Sequence, residues 1–182
     1  VMNSYCSING EPVVGSRRML TEILRGKMGF TGFVVSDYVS LDRMVDPFCV
    51  ASSFEEAGIR AIYAGLDVEY PRKKGFTYEM KKAVEDGRLE METIDQAVRR
   101  VLRVKFEMGL FENPYPDLKK LKNTLHQQST AGLNRKLAEE SFIMLKNEHA
   151  VLPLDKKIRK LAVVGPHADN IRSLFGTFSY PA

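Results

Sequence analysis

One carboxylate stands out for its setting. Asp37 follows Phe33-Val34-Val35-Ser36, a short apolar run rich in β-branched residues, with Gly29 and Gly32 before it and Tyr38 after it. Such a run suits a strand buried on both faces, as in a parallel sheet covered by helices. A carboxylate just past the C-terminal end of such a strand lies where α/β barrels and open α/β sheets do their chemistry, which makes Asp37 the first candidate catalytic residue. The competing reading is local: Ser and Asp both end strands and cap the next element, so Ser36-Asp37 also fits a plain turn. Asp67 and Glu69, in Leu66-Asp67-Val68-Glu69-Tyr70-Pro71, occupy a similar strand-to-turn setting and read as structural residues closing a strand and its loop.

Other chemistries find little support. The histidines His126, His149 and His167 are isolated in sequence. No Cys or carboxylate stands at ligand spacing from them, so no metal and no cofactor is expected. Cys6 and Cys49 form neither a disulfide framework nor a metal pattern and read as reduced thiols. A net charge of +4 from 27 basic and 23 acidic residues is mild. The basic residues form no stripe with interleaved aromatics, which argues against nucleic acid as a partner. No apolar run is long enough to span a membrane. The first residue is Val1, already in a strand-like stretch, so compartment stays open between cytoplasmic and secreted. Oligomeric state is not legible either.

The elements that would position Asp37 alternate. Residues 1–5 read as a strand end, and residues 8–12 as a loop. Ser16 caps a helix to about Lys27, with Leu20, Ile23, Leu24 and Met28 at helical spacing and Gly29 as its stop. Residues 39–51 read as a long connection. Ser53-Phe54-Glu55-Glu56 is a capping box opening a helix that Gly65 breaks. Residues 66–71 make a third strand, residues 76–85 a helix stopped near Gly87. Thr93-Ile94-Asp95-Gln96 is a second capping box. It opens a helix with Ile94, Ala97, Val98, Val101, Leu102 and Met108 on a broad apolar face. Strands recur about every 30 residues, the spacing of βαβ units. Residues 112–130 read as a polar linker, 131–147 as a helix carrying Leu133, Leu137, Met144 and Leu145, and 161–164 as another buried strand. Three parallel strands close no barrel, so the chain reads as a piece straddling a domain boundary.

Several of these stretches together resemble glycoside hydrolase family 3, the β-glucosidases, β-xylosidases and relatives. Val1-Met2-Asn3-Ser4-Tyr5-Cys6-Ser7-Ile8-Asn9-Gly10 is similar to its strand ending in Tyr and Asn-Gly. Leu20-Thr21-Glu22-Ile23-Leu24-Arg25 with 29–38 resembles its nucleophile segment, and 64–71 its Ala-Gly-Leu-Asp motif. Residues 102–111 look like the end of its barrel, and 145–147 with 152–154 and 163–169 like the entry to its second domain. The resemblance runs in order over nearly the whole chain.

It implies an α/β fold: the C-terminal part of a (β/α)8 TIM barrel over 1–111, a linker with a helix over 112–157, and the start of an α/β sandwich over 158–182. It implies a retaining exo-β-glycosidase acting on a β-linked oligosaccharide or small β-glycoside, with Asp37 as nucleophile. Retaining enzymes place two carboxyl groups roughly 5–5.5 Å apart, one attacking the anomeric carbon and the other serving as acid and base. Tyr5 matches a tyrosine at the sugar site, whose phenol would hold the nucleophile. Tyr38 stands where many members have Trp and would stack on a sugar. Cys6 replaces the usual Asn. The family's Lys-His pair would precede Val1 and its acid/base would follow Ala182, so the 182-residue chain is expected to be inactive by itself. A non-catalytic carbohydrate-binding or scaffold protein on the same fold is the alternative. A nucleotide-binding α/β protein lacks its glycine-rich loop here.

Overall fold

The computed structural model describes residues 1–125 and 127–176. His126 and the last six positions assigned to the 158–182 segment lie outside the described residues. The chain forms two compact units, Val1–Asp117 and Leu118–Ala182.

The first unit is built on three short parallel strand segments, with Val35 between Met2 and Val68. Val35 N–H donates to Val1 C=O at 2.9 Å and Asn3 N–H to Val35 C=O at 3.3 Å. On the other side Ser36 N–H donates to Val68 C=O at 2.8 Å, and Val68 N–H to Val34 C=O at 3.1 Å. These ladders put the residues after Met2, Val35 and Val68 at one common end, the C-terminal end of the sheet. The apolar run at 33–35 predicts cover on both faces. The structure covers one fully: Val34 is buried with Val14, Leu20, Leu41, Leu66, Ala57 and Ala61, whereas Phe33 and Val35 are half-buried. The period of two sends these neighbours to the opposite face from Val34.

Small residues let the helices approach. Phe54–Ala64 turns Ala57, Ala61 and Ala64 into the core. Its Ser53 cap accepts from Glu56 N–H at 3.1 Å, while Glu56 reaches back one residue further than a capping box requires, to Ser52 N–H at 2.8 Å. Gly65 ends the helix at φ 114°, a left-handed conformation that suits glycine. Gly58 meets Gly75 so closely that a Cβ on Gly58 would lie 2.5 Å from Gly75 O, which ties the helix to the loop after the third strand.

Several expectations are corrected. The segment Arg18–Lys27 is a π-helix. Its wider turn, with Met28 N–H closing on Ile23 C=O, carries Met28 out to solvent. Residues 8–12 belong to a hairpin pairing Ser7–Ile8 with Glu11–Pro12, turned by Asn9 and Gly10 at φ 53° and 83°, the positive angles of a tight hairpin turn. Residues 39–51 hold a helix, Ser40–Val45. The Thr93 capping box does not form: the helix is Met91–Glu107, opened from Glu90. Ala97 is buried on it, but Val98, Leu102 and Met108 are exposed, because only one edge of its apolar stripe meets Met80, Ala83 and Leu89.

The second unit departs further. Within 112–130 the structure places a helix, Leu118–Thr124. The next helix, Gln128–Ser141, ends before Phe142 turns extended at ψ 126°. Residues 161–164 form no strand, and Leu161, Val163 and Val164 are exposed. A strand exists only through ladder partners, and among the described residues none pairs with this segment. Asn147 clips the turn that follows the helix, its amide donating to Leu152 C=O at 2.8 Å and its carbonyl accepting from Leu152 N–H at 3.0 Å.

Candidate active site

Asp37 lies at the C-terminal end of the central strand, half-buried. Its Oδ1 accepts two hydrogen bonds, from the Tyr5 hydroxyl at 2.8 Å and from Tyr38 N–H at 2.7 Å. Tyr5 and Asp37 are 32 positions apart in sequence; the pairing of neighbouring strands brings them together. Tyr5 is itself held by Arg43, whose guanidinium lies 4.6 Å from the ring centroid in cation–π contact. Burial, then the bond to Asp37, pushes the Tyr5 phenol above its ordinary value, so it remains a protonated donor at neutral pH.

A buried residue fixes the backbone beneath this pair. Asn3 is 5% exposed. It accepts from Asp37 N–H at 3.2 Å and donates to Ser40 Oγ at 3.0 Å and to Ser4 C=O at 2.8 Å. Asn3 therefore joins the first strand to both ends of the Asp37 turn. Sequence reading missed Asn3 and Arg43; an Asn two positions before Tyr5 gives no signal until strand pairing places it under Asp37.

Tyr38 is 42% exposed, and its ring meets that of Tyr70 edge-on, with centroids 5.5 Å apart. The structure thus brings Tyr5 and Tyr38 both to Asp37, one through its hydroxyl and the other through its backbone. The nearby carboxylates have other work. Asp42 pairs with Lys74, which also covers the Phe54 ring. Glu69 accepts from the backbone N–H groups of Lys74, Gly75 and Phe76, the last at 2.7 Å, and so folds the loop after the third strand. Asp67 has a fully buried side chain between Arg25 at 2.6 Å and Arg100 at 2.9 Å. It also accepts from Val34 N–H at 2.7 Å, which is a structural use. Burial pulls the Arg25 guanidinium below its ordinary value against the attraction of Asp67.

Both cysteines are free and exposed. Among the described residues, no three His, Cys, Asp or Glu side chains group as metal ligands, and no helix is long and apolar enough to cross a membrane.

Residues 1–104 match the family described as Glycosyl hydrolase family 3 N terminal domain. The chain belongs to glycosyl hydrolase family 3. The N-terminal domain of this family is a TIM-barrel-type fold. The chain is 35% identical over 182 residues to the lysosomal beta glucosidase of Dictyostelium discoideum, with 98% of this chain and 22% of that protein covered. It is 35% identical over 187 residues to a beta-xylosidase of Formosa agariphila, covering 98% of this chain and 26% of the relative. The beta-glucosidase of Listeria innocua in complex with glucose superposes with a TM-score of 0.70 at 32% identity, over 85% of this chain and 21% of that one. This family 3 chain therefore spans about a quarter of the length of the relatives it matches.

Proposed function

We propose that this chain is the nucleophile-bearing part of a retaining exo-β-glycosidase of the β-glucosidase or β-xylosidase type. The observation that carries the reading is the Tyr5–Asp37 hydrogen bond at 2.8 Å, at the strand end where barrel enzymes place their reacting groups. Residues 1–111 supply the last three strands of the barrel, 112–157 a linker with a helix, and 158–182 the start of an α/β sandwich. The relatives named as glucosidases and xylosidases support β-linked glucose- or xylose-type sugars as substrates, taken from the chain end.

The geometry suggests how Asp37 acts. Both bonds fall on Oδ1, so Oδ2 is the oxygen presented to the anomeric carbon. Its attack forms the glycosyl-enzyme bond and breaks the bond to the leaving oxygen, which takes a proton from an acid. Hydrolysis then reverses the sequence, with the deprotonated acid activating water. Asp42, Asp67 and Glu69 are each committed to other partners, and the resemblance to family 3 implies an acid/base from outside this chain. The 182-residue chain alone is accordingly inactive. Turnover of an aryl β-glycoside by it, abolished by Asp37→Ala, would contradict that part of the reading.

The decisive experiment uses the intact enzyme that carries this chain, treated with 2-deoxy-2-fluoro glucosyl and xylosyl reagents and mapped by mass spectrometry. A covalent label on the peptide containing Asp37 is expected. Folded enzyme that hydrolyses substrate but acquires its label elsewhere would refute the assignment of Asp37. Absence of both turnover and label would favour a carbohydrate-binding role.

A further inference from the structure

Beside Asp37 lies an aromatic residue that the strand pattern did not single out as functional. Tyr70 follows the third strand, two positions past Val68, whose partner is Val35. It therefore emerges at the same end of the sheet as Tyr38. Its backbone is fixed twice by one buried hydroxyl. Tyr70 N–H donates to Ser36 Oγ at 2.9 Å, and Ser36 Oγ donates to Tyr70 C=O at 3.1 Å. Ser36 is 1% exposed and immediately precedes Asp37, so the position of Tyr70 is locked to the turn that carries the carboxylate.

The two rings make a wedge. Tyr38 and Tyr70 meet at an interplanar angle of 62°, and 42% and 48% of their respective surfaces remain open to solvent. Neither ring is spent on the core. The Tyr70 phenol is also the first cause holding the Tyr38 hydroxyl above its ordinary value. A half-open aromatic pair presents flat apolar area for the C–H face of a pyranose, and phenol groups for its hydroxyls.

We infer that Tyr70 is a specificity-determining residue, forming with Tyr38 an aromatic wedge for the sugar ring next to the bond that Asp37 attacks. The inference rests on Asp37 being the nucleophile. Tyr70 contributes in two ways: it backs the Tyr38 ring so that the ring keeps one orientation, and it adds its own edge and hydroxyl to the sugar site.

The test is steady-state kinetics of the intact enzyme with p-nitrophenyl β-glucoside and β-xyloside and with cellobiose and xylobiose. Tyr70→Ala raises KM about five- to tenfold, the scale of one aromatic contact, and changes kcat by less than about twofold. Tyr70→Phe keeps the ring and raises KM by only about twofold. Should Tyr70→Ala fail to fold, Tyr70→Met keeps bulk without the ring and carries the same expectation. In a cycle with Tyr38→Ala, the double variant loses less than the product of the single losses. A KM within about twofold of the parent in folded Tyr70→Ala or Tyr70→Met, or a loss confined to kcat, overturns the inference. Asp37→Ala serves as control. If it retains turnover, the nucleophile reading fails. If it is inactive and KM does not respond at Tyr70, only the wedge fails.

Discussion

Two aspartates sit at opposite ends of the same small sheet and show how one residue type is used in two ways. Asp37 lies past Val35, at the C-terminal end. It is half-buried and accepts from a neutral phenol and a backbone N–H. Asp67 lies just before Val68, toward the other end, with no exposed side-chain surface and two guanidinium partners. The first is oriented by two neutral donors, both bonded to Oδ1. The second joins the Arg18–Lys27 segment, the central strand and the Met91–Glu107 helix into one unit. Buried charge paired on every side serves architecture, whereas a carboxylate that must react needs accessible surface.

The comparison breaks most easily at its two centres. Asp37→Ala is expected to cut turnover of the intact enzyme on the order of 10⁴-fold or more, the scale of losing a nucleophile, with little change in melting temperature. A variant that stays active would place Asp37 with the structural aspartates. Asp67→Ala should do the reverse. Removing one partner of a buried ion pair costs about 3–5 kcal/mol, here leaving Arg25 and Arg100 without their shared carboxylate. Denaturant unfolding would show it, and a variant as stable as its parent would deny Asp67 its architectural role.

Smaller changes sharpen the contrast. Tyr5→Phe deletes the phenol that orients Asp37 and should lower kcat/KM about ten- to a hundredfold, the range for a hydrogen bond to a charged group. Because the folded Tyr5 phenol titrates above its ordinary 10.0, this bond is fully present below pH 10.0 and is lost as pH rises through the folded value. The parent should therefore show an alkaline fall in activity that Tyr5→Phe lacks. Arg43→Leu removes only the cation over the Tyr5 ring and should cost about two- to fivefold in kcat, in keeping with a half-exposed cation–π contact. If Arg43→Leu matches Tyr5→Phe in size, Arg43 does more than brace the ring.

A second contrast separates the two compact units. Val1–Asp117 buries its alanines and valines against one another. In Leu118–Ala182 every described residue except Asn147 is exposed, Leu145 and Val164 among them. Elements in the first unit were legible because hydrophobic period and punctuation agree with the packing that forms, as at Ser53 and Gly65. In the second unit the apolar residues of 161–164 signal a strand whose formation depends on partners that local pattern cannot supply.

The sequence by itself determined the order of strand and helix around Asp37. It placed that carboxylate past an apolar run and spaced the strands for βαβ crossovers, because side-chain periodicity and turn chemistry are local properties. Only the tertiary structure decided which polar groups face one another. Tyr5 reaches Asp37 and Asn3 bonds its N–H across neighbouring strands, while Asp67 finds Arg25 and Arg100, 42 and 33 positions away. Those pairings depend on strand register and helix docking, which are set by packing over the whole unit and not by any single stretch of sequence.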